Sequence, residues 1–591
     1  MKQFLKFMFA SCLGVFLAGF IMFWVGGGIV AKLVTEMEKP KSIQPNSVLY
    51  LTFDQPIPEL TNNLEMNLYD LENRKILGLH DIVHSIQAAA KDDNIKGIFI
   101  ETEGVSSGFA SARVLRQAIE AFKAEGKFVT AYSKYYTQGA YYLSSAAESV
   151  YLNPIGSVDL RGFSAQIPFV KGMLDKLGIE MQVFWVGDFK SATEPYRRKE
   201  MSEASRLQTR AFLDGFYDIF LDDITASRPI GESQLRMVID DFKTSDPQAA
   251  LDYQLVDGLS YRDEVITKIK DQLGVDDEDK VQLVTLMDYY KNNPRDVNYS
   301  VSDRIAVIYA EGAIVDGKGE SGNVGDETYT KIIRKIRTND KIKGVVLRVN
   351  SPGGSAMASE NIWRELELLK AAGKPLVVSM GDYAASGGYY IACGADSILA
   401  EPNTLTGSIG VFNVFPNVSK LLNEKLGIQF DTVETGDLSA GFSPFYDLTD
   451  KEKRIIQNKT NSLYETFLTR VGDGRNMSRD AVHEMAQGRV WTGKKAHELG
   501  LVDRLAGLEA AVASVATLSD LDDYRLVEFP QPKDPLLQLI EEFVGTDEVK
   551  HSSKAILRSE LGSLYPFYKF FTEVQQSKGY QMRLPLIVPF N

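Results

Sequence analysis

Apolar and polar positions along the chain follow two periods in turn, and the succession repeats. Short apolar runs of strand length, such as Val48–Phe53 (VLYLTF) and Ile95–Glu101 (IKGIFIE), are separated by longer segments with helical spacing. Runs of this kind predict α/β units on a parallel sheet. The whole pattern is then written a second time, at a shift of roughly 250 residues. Ile305–Ala310 answers Val48–Phe53, and Ile342–Val349 answers Ile95–Glu101. A helical segment closing in Gly-Lys follows in each, at Ala121–Val129 and Leu368–Val378. Next come Tyr-Tyr segments, Thr137–Pro154 and Ala385–Pro402, and then Ile155–Gly162 and Thr406–Phe412. Leu174–Glu180 pairs with Leu422–Gln429, and Tyr253–Leu259 with Leu499–Leu505. Order and character agree throughout, which predicts two related α/β domains. The expected divisions are 1–45, 46–296, 297–522 and a looser C-terminal extension, 523–591.

The first block has its own character. Lys2 and Lys6 precede Phe7–Ala31, a run with no charged residue that is long enough to cross a bilayer as a helix. The competing reading is a cleaved signal peptide. The run is longer than a usual signal core, however, and no small-residue cleavage site follows at the usual distance. The expectation is one uncleaved N-terminal transmembrane helix. Lys2 and Lys6 would stay inside, and the bulk of the chain would lie on the extracytoplasmic side of a bacterial inner membrane. At the other end, Tyr565–Phe571 is rich in aromatic residues and the chain closes on Pro585–Phe590 (PLIVPF). A docking tail for a neighbouring subunit and membrane-proximal packing are both open readings there.

Composition narrows the chemistry. With 591 residues and a net charge of −14, the chain is no general nucleic-acid binder. Two cysteines, Cys12 and Cys393, give neither a disulfide framework nor a thiolate metal cage. Five scattered histidines lack the spacing of a zinc helix. Nothing points to a metal or a cofactor.

Candidate chemistry comes from where the two copies differ. Gly381–Ala392 (GDYAASGGYYIA) reads as strand, tight turn and helix, with Ser386 at the turn and its hydroxyl pointing outward. A helix start offers unpaired N–H groups able to hold a developing oxyanion, although a Ser-Gly-Gly turn can equally serve only to reverse the chain. The matched residue in the first copy is Gln138, which has no hydroxyl. Further on the loss is reversed: Gly187-Asp188-Phe189-Lys190 in the first copy matches Gly436-Asp437-Leu438-Ser439 in the second. One copy keeps a lysine, the other a serine, as two halves of one shared site would. A serine nucleophile needs a base, and Lys190 serves only if neutral. Its apolar neighbours Trp185, Val186, Phe189 and Ala192 would disfavour the ammonium. A helix start with a capping pattern at Ser191–Glu194 would act in the same direction. Arg348–Glu360 (RVNSPGGSAMASE) supplies a glycine turn whose amides can face a cleft. An amide there and that of Gly387 would form an oxyanion hole. Ser408 in TGSIG would hydrogen-bond the lysine and fix its position, or else is a plain loop serine.

At these residues the chain resembles the signal peptide peptidase A family in its long, protease IV form. The resemblance rests on GDFKSATEP around Lys190, RVNSPGGS, AASGGYY around Ser386, TGSIG, and Arg489–Asp503 (RVWTGKKAHELGLVD). It runs from the N-terminal run to about Leu505. It implies a tandem fold of the Clp protease and crotonase kind and a Ser-Lys dyad. Ser386 would be the nucleophile, Lys190 the general base, and Gly354 and Gly387 the oxyanion donors. It also implies membrane anchoring, a bowl-like homotetramer, and degradation of signal peptides and other apolar unfolded peptides. Two other functions fit the fold class: a crotonase-like acyl-CoA enzyme and a catalytically silent peptide-binding scaffold. The first has no need of a Ser-Lys pair, and the second does not explain why both halves of one are kept.

Overall fold

The computed structural model describes residues 42–61, 76–531 apart from 277, 296, 297 and 321, and 579–584, with Gln3, Gly14 and Leu17 near the N-terminus. The expected membrane run Phe7–Ala31 lies outside the described residues apart from Gly14 and Leu17, and so do Tyr565–Phe571 and Pro585–Phe590. Among the described residues no helix is long and apolar enough to cross a membrane.

Two sheets carry the chain, the first parallel throughout and the second parallel but for Val490–Thr492. The first has the order Gly258–Leu259, Ser149–Leu152, Phe128–Ser133, Ile95–Glu101, Ser47–Leu51, Gln282–Thr285. In the second, Arg504–Leu505, Ser397–Ala400, Leu376–Ala385, Ile342–Ser351, Arg304–Glu311 and Arg525–Phe529 follow one another in the same sense. Strand for strand the two orders match, as a duplicated pattern requires. The second sheet adds Leu405–Gly407 and Val490–Thr492 beside the far end of Leu376–Ala385. Arg525–Phe529, within the stretch expected as an extension, pairs in parallel with Arg304–Glu311.

Neighbouring residues in a strand face opposite sides of a sheet, so a strand covered on both faces reads as a continuous apolar run. In the first sheet Leu49 and Ile98 pack against the helices Leu79–Lys91 and Phe109–Ala124. Val48 and Phe99, one residue along, pack against Arg262–Leu273. In the second, Ala306 and Leu347 meet Asp326–Arg337 and Ala356–Ala371, while Ile305 and Val346 meet Leu508–Leu518.

A third, mixed sheet joins the copies. Its order is Val324–Gly325, Ile314–Val315, Gly353–Ser355, Gln581–Arg583, Phe412–Asn417, Glu180–Trp185. Only the last strand comes from the first copy. It pairs antiparallel with Phe412–Asn417, with Trp185 opposite Phe412. Buried polar contacts reinforce the junction. Arg348 donates to both carboxylate oxygens of Glu59, at 2.9 and 3.1 Å, and also to Ser379 Oγ and the Met380 carbonyl. Ser111 donates its N–H and hydroxyl to Asp382, at 2.9 and 2.7 Å.

Both partners of the Glu59–Arg348 pair are buried, so removing one strands the other in a medium that cannot solvate it. Glu59→Ala is expected to lower stability by about 3–5 kcal/mol in urea unfolding. The double replacement Glu59→Leu with Arg348→Met is expected to recover most of that loss. Equal losses in the single and double variants would contradict the ion-pair account.

Candidate active site

Ser386 follows the strand Leu376–Ala385 and stands at the start of the helix Gly387–Ala392, with no capping bond from its side chain. The expected order of strand, turn and helix is present. The backbone at Ser386 has φ +57° and ψ −113°, a conformation that costs a residue with a Cβ about 1–3 kcal/mol. Two bonds hold it there: Ser386 N–H donates to Gly407 O, and Tyr390 N–H donates to Ser386 O, both at 2.8 Å. The hydroxyl, expected to point outward, is instead fully buried, because Lys190 packs against it. In the first copy Gln138 makes no such elbow. Thr137 caps that helix in extended backbone, and the Gln138 side chain is taken up by Arg161 and Gly162.

Lys190 reaches Ser386 because the strand Glu180–Trp185 continues past the second copy. Val186 N–H donates to Val411 O and Phe189 N–H to Gln487 O, each at 3.0 Å. The lysine backbone then lies so close to Gly488 (φ +78°) that a Cβ there would come within 2.6 Å of Lys190 Cβ. Lys190 Nζ lies 2.8 Å from Ser386 Oγ, 2.9 Å from the Ser408 carbonyl oxygen and 3.0 Å from Ser408 Oγ. Lys190 is 1% exposed, and Ser386 and Ser408 are 0% exposed. Burial alone pushes the Lys190 amine well below the ordinary lysine range.

The capping pattern expected at Ser191–Glu194 does not form. Ser191–Thr193 is a short 3₁₀ turn without a side-chain cap. The Glu194 carboxylate instead accepts from the N–H and hydroxyl of Ser202, at 2.9 and 2.5 Å. Ser439, the second-copy match of Lys190, lies on an exposed stretch and bonds only locally, to Gly436 and Thr435.

The glycine segment differs from the expected turn. Gly353 has φ +94°, and Gly353–Ser355 runs as a short strand into the helix Ala356–Ala371, capped by Ser355. It still brings Gly354 beside Gly387: a Cβ built on Gly387 would sit 3.1 Å from Gly354 N. The structure therefore gathers all five residues singled out in the sequence, Lys190, Gly354, Ser386, Gly387 and Ser408, around one point. Such an arrangement offers a hydroxyl, an amine whose burial favours the uncharged form that can accept a proton, and two neighbouring amides of the kind that can hold an oxyanion.

Two further parts left no mark in the sequence pattern. Buried Gln208, on the helix Glu203–Ser227, donates to Phe189 O and Ser191 Oγ, both at 2.9 Å, and accepts from Val490 N–H at 3.1 Å. It ties the lysine turn to the second copy, yet on its helix it reads as any polar residue. The strand Gln581–Arg583 beside Gly354 is too short to show a period.

A fold of two duplicated α/β units, with a serine at a strand-to-helix elbow and a buried amine beside it, defines a hydrolase of the serine kind. Known proteins place it more closely. The model of peptidase family S49 matches residues 121–276 and 368–522, and a Clp protease model matches 301–405. The chain is 38% identical over 497 residues to "Protease 4" of Salmonella typhi, covering 83% of this chain and 78% of that one. To "Serine protease SPPA, chloroplastic" of Arabidopsis thaliana it is 33% identical over 476 residues, 78% of this chain and 69% of that one. It is 38% identical over 231 residues to "Putative signal peptide peptidase SppA" of Enterococcus faecium, which takes in 38% of this chain and 67% of the relative. The chain belongs to peptidase family S49 and is a serine protease.

The burial of Lys190 carries a sign for stability. With its folded-state pKa pushed down, the folded chain binds fewer protons than the unfolded chain between that pKa and the ordinary lysine value. Stability from this group therefore rises with pH across that window. Lys190→Met removes the slope, so its stability advantage over the parent is expected to shrink by up to about 1.4 kcal/mol per pH unit. Denaturant unfolding at several pH values reads this, and a pH-independent difference would contradict a neutral buried amine.

Proposed function

We propose that this serine protease acts through a Ser-Lys dyad shared between the two copies, with Ser386 as nucleophile and Lys190 as general base. The observation that carries the reading is the 2.8 Å approach of a fully desolvated lysine Nζ to Ser386 Oγ. An amine held in this way is neutral at working pH and has a lone pair for the serine proton. Lys190 takes that proton as Ser386 Oγ attacks a peptide carbonyl. The oxyanion rests on the amides of Gly354 and Gly387. Protonated Lys190 then passes the proton to the leaving amine, and later activates the water that releases the acyl group. Ser408, holding Nζ through its carbonyl and hydroxyl, fixes the amine in line with Oγ.

The substrates proposed are cleaved signal peptides and other apolar unfolded peptides. That reading draws on the name of the Enterococcus relative and on the uncharged run Phe7–Ala31, which would hold the protein as a single-pass protein of a bacterial inner membrane with the site on the extracytoplasmic side. Assembly of several copies, as a homotetramer, belongs to the same proposal. Neither the acyl-CoA reading nor that of a silent scaffold accords with membership in a peptidase family.

Hydrolysis of a fluorogenic apolar peptide by the full chain in detergent tests the dyad. Ser386→Ala and Lys190→Ala are each expected to lower kcat/KM by at least about 10³-fold while keeping the parent's circular dichroism. Near-parent activity in a folded Lys190→Ala variant would show that the base is another group.

A further inference from the structure

The lysine has a back wall of its own. The backbone of residues 486–490 crosses behind Lys190 and is bonded to both halves of the site. Gln487 O accepts from Phe189 N–H at 3.0 Å, Gly488 N–H donates to Ile409 O at 2.8 Å, and Arg489 O accepts from Ser408 N–H at 2.7 Å. The packing is close on every side. A Cβ built on Gly187 would come within 2.3 Å of the Gln487 carbonyl. One built on Gly410 would lie 2.9 Å from Gly488 Cα and 3.2 Å from Lys190 Cδ.

This wall turns sharply where it meets the lysine. Gln487 has φ +52° and Gly488 φ +78°, and for Gln487 the left-handed conformation is unfavourable without outside support. The short helix Arg479–Met485 ends just before it. A side chain supplies the support: Gln487 N–H donates to Tyr464 Oη at 3.2 Å. Tyr464 comes from the long helix Asp450–Arg475 and is 2% exposed, within the apolar cluster of the second copy. Its Oη lies 2.9 Å from His483 Nδ1. With the oxygen accepting from Gln487, the hydroxyl proton is left for Nδ1, so His483 carries its own proton on Nε2. Burial pushes the Tyr464 hydroxyl above its ordinary range, which keeps it a donor. A chain of polar contacts thus runs from His483 through Tyr464 and Gln487 to Phe189, the neighbour of Lys190. Neither Tyr464 nor His483 has a part in the steps described above.

We propose that Tyr464 and His483 are positioning residues for the base: their hydrogen-bonded pair fixes the Gln487–Gly488 turn, and the turn keeps Lys190 Nζ out of water and aimed at Ser386 Oγ. The proposal rests on the reading of Ser386 and Lys190 as a dyad. A turn released from Tyr464 lets water reach the amine, which favours the ammonium, and lets Nζ drift from its line to Oγ.

Hydrolysis of the fluorogenic peptide by the full chain, measured across a range of pH and expressed per folded molecule, tests this. Tyr464→Phe removes the hydroxyl and keeps the ring. It is expected to lower kcat by about 10- to 100-fold with the parent's KM, and to move the acid limb of kcat/KM to higher pH. His483→Ala is expected to shift both in the same directions, and serves alone should Tyr464→Phe fail to fold. His483→Asn, whose amide oxygen can take the place of Nδ1, is expected to recover most of what His483→Ala loses. The parent's kcat and acid limb in either Tyr464→Phe or His483→Ala overturn the proposal. Lower stability with an unchanged kcat per folded molecule overturns it too, since the pair would then only support the fold. A parent-like Tyr464→Phe beside an inactive Lys190→Ala leaves the dyad standing. Near-parent activity in a folded Lys190→Ala brings down the dyad reading and this proposal together.

Discussion

An amine without a counter-charge cannot remain an ammonium once it is taken out of water, and Lys190 is taken fully out of water beside Ser386. On the proposed reading, that desolvation is what would let an ordinary side chain act as a base. No carboxylate contributes to its shift, which burial alone accounts for. The rest of the molecule can be understood as the apparatus that keeps water away from this contact. The strand Glu180–Trp185 runs along Phe412–Asn417, Gln208 holds the lysine turn to Val490, and Gly488 leaves room for the lysine backbone.

Duplication explains why the apparatus is built across two copies. Each copy brings a complete parallel sheet with helices on both faces, so each can bury its own core. Once the copies are docked, one site no longer needs both functional groups from the same copy. The first copy has Gln138 where the second has Ser386, and its side chain is spent on local bonds to Arg161 and Gly162. The second has Ser439 where the first has Lys190, and that residue lies on an exposed stretch. The buried Glu59–Arg348 pair and the Ser111–Asp382 contact make the junction specific as well as close.

Much of this was legible in the sequence, for physical reasons. Strands covered on both faces leave continuous apolar runs, so Ile95–Glu101 and Ile342–Val349 could be seen and matched. Residues lost from one copy and kept in the other pointed to Ser386 and Lys190. What stayed hidden depends on contacts between distant segments. The outward hydroxyl proved buried because the covering residue lies far away in the chain. The local pattern at Ser191–Glu194 suggested a cap, but the Glu194 carboxylate is taken up by the N–H and hydroxyl of Ser202. Gln581–Arg583 is a strand only because an open edge beside Gly354 receives it. Three residues carry no period that could announce this.

The central claim is that an uncharged amine at position 190 activates Ser386, and chemical restoration of that amine tests it most directly. Lys190→Cys supplies a thiol where the side chain begins, and alkylation with bromoethylamine rebuilds a chain of lysine length ending in an amine. The account expects Lys190→Cys to be inactive, to regain peptide hydrolysis on aminoethylation, and to stay inactive when alkylated with a neutral reagent of similar size. The parent carried through the same treatment, with Cys393 buried, is expected to be unaffected. Recovery with the neutral reagent, or full activity in the untreated Cys variant, would mean that the amine does no chemistry and that Ser386 takes its base from elsewhere.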